Sequence, residues 1–182
     1  MTAKKQSPIK KGYIQVYTGD GKGKTTAALG VALRATGCGL KTYIGQFMKG
    51  QHYSELDAVE KLSGQIVIEQ YGKKTFTQLK KTPAPVDVRM AKAGLKKAKA
   101  AMLSRKYDII VLDEIIAAHF FNLITLDEML EFVTDKPDGV ELIFTGRYAP
   151  IELIDAADLV TEMTEVKHYY KDGVTSRKGI EN

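Results

Sequence analysis

A mostly parallel β-sheet with helices on both faces is the α/β fold that this sequence predicts. Three observations predict it. Apolar, β-rich runs take turns with helical patterns along the whole chain, some of those runs are apolar at nearly every position, and a glycine-rich connection joins the first run to the first helix.

Tyr13-Ile-Gln-Val-Tyr17 is the first β-rich run, and Thr25 to Thr36 reads as a helix stopped at Gly37 and Gly39, which can take a left-handed turn. A second strand is expected at Thr42 to Met48. Ser54 to Leu62 places Leu56, Val59 and Leu62 on one helical face, and Gln65 to Gln70 is strand-like. A polar loop broken by Pro83 and Pro85 leads to the longest helical pattern, Asp87 to Arg105, with Val88, Ala91, Leu95, Ala98 and Met102 along one side. Asp108 to Leu112 is apolar enough for a buried central strand. Thr125-Leu-Asp-Glu128 is a capping box opening a helix to Val133. Val140 to Thr145 is another strand, Pro150 suits the first turn of a helix to Ala156, and Leu159 to Met163 is a last short strand.

Composition fits one domain. The 182 residues are 44% apolar and 27% charged, and a chain of this length can bury a core without disulfides. Cys38 is the single cysteine, no apolar leader is visible, and no run approaches the ~18 apolar residues of a membrane span, so a cytoplasmic protein without membrane contact is expected. Residues 1–12, rich in lysine, are expected to be a mobile basic segment ahead of a single domain over 13–182. The net charge of +5 is concentrated: Gly72 to Lys106 holds eleven basic residues and one acid, Asp87. That imbalance points toward a phosphate-rich partner.

Thr18-Gly-Asp-Gly-Lys-Gly-Lys-Thr25 lies between a predicted strand and a predicted helix, the setting of a phosphate-binding P-loop. Gly19, Gly21 and Gly23 let backbone N–H groups turn inward around an anion, and the helix start adds its positive end. Lys24 supplies an ammonium and Thr25 a hydroxyl for Mg²⁺, with Asp20, Lys22 and Thr26 completing the expected nucleotide-binding loop. The pattern's first glycine falls on Thr18. The fold class is therefore P-loop NTPase-like. Ile109-Ile-Val-Leu-Asp113-Glu114 ends an apolar strand on two acids, which offer hard oxygens to a metal opposite Thr25, and the sequence does not apportion metal contact between them. Arg147, in Thr145-Gly-Arg147, is expected at the same sheet edge and on phosphate. These motifs alone serve hydrolysis, phosphoryl transfer or displacement at the ribose C5′ with triphosphate leaving.

Taken together, Tyr17 to Gly30, Gln46-Phe-Met-Lys-Gly50, Val111-Leu-Asp-Glu114, Thr145-Gly-Arg147 with Ala149-Pro150, Ala157-Asp-Leu-Val-Thr-Glu-Met163, and Val166-Lys-His168 with Gly179-Ile-Glu181 resemble the P-loop ATP:corrinoid adenosyltransferase family. The order and spacing of the blocks carry the resemblance across most of the chain. It implies transfer of the 5′-deoxyadenosyl group of ATP to the Co(I) of a reduced corrinoid, with triphosphate released. It also implies triphosphate on Gly19 to Thr26, Mg²⁺ or Mn²⁺ on Thr25 and Glu114 with Asp113 beside them, a homodimer, and an electron-donating reductase or flavoprotein. The family's glycine-Phe-Thr-Trp pattern is matched by Thr75-Phe-Thr-Gln78, so Phe76 and Gln78 are the implied corrinoid side, with Gln78 in place of tryptophan.

The rival reading is a P-loop ATPase acting on nucleic acid through Arg89, Lys92, Lys96 and Lys99, although that stripe has no aromatic residues for base stacking. A small-molecule kinase or a nucleotide-dependent regulator would share the loop. His168 is a candidate for substrate contact, while His52 and His119 lack a metal partner at ligand spacing and Cys38 reads as a small packed residue.

Overall fold

The computed structural model describes residues 9–62, 64–73 and 82–182. In chain order the elements are β1 (Ile14–Thr18), α1 (Lys24–Thr36), β2 (Thr42–Phe47), α2 (Ser54–Glu60), β3 (Ile66–Tyr71), α3 (Pro85–Leu103), β4 (Ile109–Asp113), α4 (Ile115–Phe120), α5 (Leu126–Asp135), β5 (Glu141–Thr145), α6 (Ile151–Ala156) and β6 (Leu159–Glu162), with a 3₁₀ turn at Tyr169–Asp172. The strands form one six-stranded sheet in the order β3-β2-β4-β5-β1-β6. Every neighbouring pair is parallel. The expected α/β sheet with both faces covered is what the chain forms.

Alternation along the strands sorts the core into two layers. Tyr17, Ile44, Ile109, Val111 and Ile143 face Ala28, Ala32 and Ala35 of α1, whose small side chains let the helix lie close to the sheet. Tyr43, Phe47, Ile110, Leu112 and Phe144 face the other way, against Leu95, Ala98 and Met102 of α3, Met129 and Phe132 of α5 and Leu153 of α6. The capping box at Thr125 is present in full, with Glu128 N donating to the Thr125 hydroxyl and Thr125 N to the Glu128 carboxylate.

Some boundaries differ from the sequence reading. Helix α3 starts at Pro85, with proline in the first turn, rather than at Asp87. Helix α4 has no counterpart in that reading, because Ile115 to Phe120 is only six residues long, too short to show a helical period after the Asp113-Glu114 pair. The chain turns between the two at Glu114, which takes a left-handed conformation at φ 60°. Of the N-terminal segment expected to be mobile, residues 1–8 lie outside the described residues. Ile9 packs on the α1 side of the core and Gly12 N donates to Asp138 O at 2.5 Å. No described helix is long and apolar enough to cross a membrane.

The Tyr71 ring is wedged between β2 and α3, where a Cβ on Gly94 would come within 2.1 Å of its Cγ and one on Gly45 within 2.9 Å of its Cε2. Tyr71 and Tyr43 also share a buried hydroxyl–hydroxyl hydrogen bond. Gly94→Ala should therefore lower stability by about 1–3 kcal/mol in urea denaturation, although alanine is the better helix former by ~1 kcal/mol.

Candidate active site

The carboxyl end of the sheet gathers the polar residues. On the α1 side Gln70, Gln46, Asp113 and Thr145 stand at the ends of β3, β2, β4 and β5 in one transverse row, in register with Tyr17 of β1. Asp113 is fully buried and accepts four hydrogen bonds. Its Oδ1 accepts from the hydroxyls of Thr25 (2.8 Å) and Thr145 (2.7 Å). Its Oδ2 accepts from Lys49 Nζ (2.9 Å) and Gln46 Nε2 (3.3 Å). The Thr145 hydroxyl in turn accepts from Glu114 N at 2.9 Å, which fixes the direction of its own proton. Burial and the neighbouring Asp113 push the Glu114 carboxyl above its ordinary range, against the pull of Lys49, Lys24 and Arg147.

The loop between β1 and α1 is held from the side by the segment after β6. Gly21 N donates to Met163 O at 2.7 Å and Met163 N to Thr18 O at 2.9 Å, so the strand pairing continues past the sheet into the loop. Gly19 takes φ 93°, and a Cβ there would meet Met163 O at 2.4 Å. Because Gly19 makes the left-handed turn, Thr18 is free to carry a side chain, and its hydroxyl accepts from Ala149 N at 3.3 Å. Lys24 is buried, donates to the carbonyls of Gly19 and Gly21 at 2.7 Å each, and has its pKa lowered by that burial.

Above the loop lies a cavity of about 600 Å³ lined by residues 20–26, Leu29, Lys49, Tyr53, Ser54, Glu55, Ala58, Glu114, Arg147, His168 and residues 179–182. One wall is the loop and α1, the other the start of α2, and residues 165–182 cross between them as a strap. Lys22 Nζ donates to Ile180 O at 3.0 Å and lies 3.6 Å from the Glu181 carboxylate. Asp20 accepts from Glu165 N at 3.1 Å, and the Ser54 hydroxyl donates to Asn182 O at 2.9 Å. Arg177 and Tyr169 both bond Glu181, which holds that carboxyl far below its usual range.

A family model described as ATP:corrinoid adenosyltransferase BtuR/CobO/CobP matches residues 10–182. The chain belongs to the ATP:corrinoid adenosyltransferase family. A corrinoid adenosyltransferase of Sinorhizobium is 35% identical over 94% of this chain and 80% of its own length. Those of Escherichia coli K12 and Salmonella typhimurium LT2 are 31% and 32% identical, each over 97% of this chain and 88% of theirs. A KaiC-like protein of Pyrococcus horikoshii shares the fold at a TM-score of 0.55 and 14% identity, covering 84% of this chain and 72% of that one.

Within this family member the structure brings Gly19 to Thr26, Asp113, Glu114 and Arg147 to one sheet end. Asp20 and Lys22 also bond the strap, and His168 lines the same cavity while accepting from Tyr170 N at 3.0 Å. Phe76 and Gln78 lie outside the described residues. Two of the four stripe residues are paired: Lys92 meets Glu128 (2.9 Å), and Lys99 meets Glu131 (2.8 Å) and Asp135 (2.7 Å), which ties α3 to α5. That pairing, with the family assignment, turns the reading away from nucleic acid. His52 bonds Asp57, His119 bonds Ile124 O, and Cys38 is exposed rather than packed. Sequence reasoning missed Lys49, Gln46 and Thr145 as site residues, although all three sit in the short blocks that carry the resemblance.

The raised Glu114 pKa has a sign for stability. Between the unfolded and folded pKa values the folded chain binds more protons, so stability falls as pH rises through that interval and the cost is complete above it. Glu114→Gln should melt above the parent at neutral pH, without nucleotide or metal, and the difference should vanish below about pH 4. Thermal unfolding across that range checks it.

Proposed function

We propose that this chain transfers the 5′-deoxyadenosyl group of ATP to the Co(I) of a reduced corrinoid, releasing triphosphate. The observation that carries the reading is a glycine loop braced by Met163 beside a buried Asp113–Thr25 pair, in a chain that matches the family over residues 10–182. The loop amides, Lys24 and Arg147 bind the triphosphate, which here is the leaving group. Two electrons of Co(I) form the cobalt–carbon bond while the C5′–O5′ pair departs with the triphosphate. The nucleophile carries no proton, so no side chain need act as general base. The protein's work is to orient the ribose carbon toward the cobalt and keep water out.

The donor set fits a hard divalent cation. Thr25 and Asp113 already sit at hydrogen-bond distance, and Glu114 beside them is disfavoured as a bare anion by burial and by Asp113, a cost that a cation relieves. Thr25, Asp113 and Glu114 would hold Mg²⁺ or Mn²⁺, which when bound neutralises charge on the triphosphate oxygens.

The reading extends to a single domain over 13–182, a cytoplasmic setting, Phe76 and Gln78 against the corrinoid, and a reductase or flavoprotein that delivers Co(I). It also includes a homodimer, supported by β6, an edge strand whose four residues are all exposed.

The test is an anaerobic assay with ATP, Mg²⁺ and chemically reduced cob(I)alamin. A light-sensitive adenosylcorrinoid and triphosphate are expected, and Lys24→Ala should lower the rate at least ~100-fold. Formation of ADP and orthophosphate with the corrinoid unchanged would overturn the reading.

A further inference from the structure

Resting on the metal–nucleotide reading above, we propose that Lys49 keeps free divalent cations off the Asp113–Glu114 pair, so that metal enters this site only together with the triphosphate. Neither the fold class nor the loop motif gives Lys49 a role, yet it is the cation placed on the buried acid. Its ammonium is 2.9 Å from Asp113 Oδ2 and 3.9 Å from Glu55, and lies over the Tyr53 ring, 5.3 Å from the centroid. The side chain is 16% exposed and that of Asp113 is 1%. Met48, at φ 61°, turns the chain so that Lys49 points back over the end of β2.

Two consequences follow from this placement. A carboxylate offers about four acceptor directions, and those of Asp113 are taken by Thr25, Thr145, Gln46 and Lys49. A free ion would have to displace one of these donors and also sit close to a fixed ammonium. Among the described residues, moreover, no cluster of three or more His, Cys, Asp or Glu could make up the remaining ligands. An ion arriving on triphosphate brings most of its ligands as phosphate and water oxygens, and the triphosphate's negative charge outweighs the repulsion from Lys49. Lys24 adds charge to the same site, but its Nζ bonds the carbonyls of Gly19 and Gly21 and makes no hydrogen bond to Asp113. Lys49 is thus a positioning residue: it locks the Asp113 carboxylate with Oδ1 toward Thr25 and sets the charge that an incoming ion meets.

The experiment is equilibrium dialysis of Mn²⁺ against the purified full chain, with and without ATP, counting the ion retained with the protein over a protein-free Mn²⁺–ATP control. The parent chain should leave free Mn²⁺ unbound without nucleotide and take it up when ATP is added. Lys49→Gln, and Lys49→Met, which keeps an apolar stem, should bind nucleotide-free Mn²⁺ roughly tenfold more tightly than the parent, the effect of removing one screened charge. Lys49→Arg should behave as the parent. A merely structural Lys49 would weaken metal binding on substitution or leave it alone, so the direction of change is diagnostic. The proposal falls if the parent already holds Mn²⁺ without ATP, a measurement that needs no substitution, or if folded Lys49→Gln and Lys49→Met gain nothing. A parent that binds Mn²⁺ both alone and with ATP sinks the Lys49 proposal and leaves the nucleotide site standing; one that binds it in neither case sinks both.

Discussion

A carboxylate sealed from water has to be surrounded by donors, and Asp113 obtains its four from separate parts of the chain. Thr25 comes from α1, Gln46 from the end of β2, Lys49 from the turn beyond it and Thr145 from the end of β5. An unpaired charge in that position would cost several kcal/mol, so the requirement fixes how far β2, β4 and β5 run and where α1 begins. Two of those donors, Thr25 and Lys49, also line the cavity. The polar end of the sheet is therefore a folding constraint that also supplies part of the cavity wall.

The loop follows a second constraint, close approach of backbone to backbone. Gly19 and Gly21 lie so near Met163 that no side chain fits between them, and the hydrogen bonds of β6 carry on into the loop. A loop braced in this way is ordered by the chain's own contacts, with Gly21 N already bonded to Met163 O. Backbone strain collects in the same region. Met48, Glu114 and Tyr148 all take positive φ without being glycine, each within a few residues of the carboxyl end of a strand.

Much of this was legible in the residues. All six strands were expected close to where they occur, because apolar β-rich runs bounded by glycine and polar residues are a strong signal in a parallel sheet. The loop and the Asp113–Glu114 pair were visible as motifs. Helix α4 was not, since Ile115 to Phe120 is too short to show a helical period and the turn at Glu114 depends on a backbone conformation that glutamate does not advertise. Lys49 escaped for a different reason: a lysine beside a glycine reads as a solvated turn until the fold brings a carboxylate 64 positions away against it. The basic stripe of α3 was legible only as charge, because its partners Glu128, Glu131 and Asp135 belong to a helix 25 or more positions further along. Cys38, read as packed, is exposed because it lies in the turn after α1 rather than on its inner face.

The strap gives the carboxyl-terminal residues an unusual address. Asn182 is bonded through its carbonyl to Ser54 on one wall of the cavity, two residues from the Ile180 carbonyl that takes Lys22 on the other. A purification tag, a fluorescent reporter or a surface tether joined to Asn182 therefore starts at the rim of this cavity and crowds its mouth. Gly12, by contrast, is bonded to Asp138 near the amino ends of β1 and β5, at the other end of the strands from the cavity.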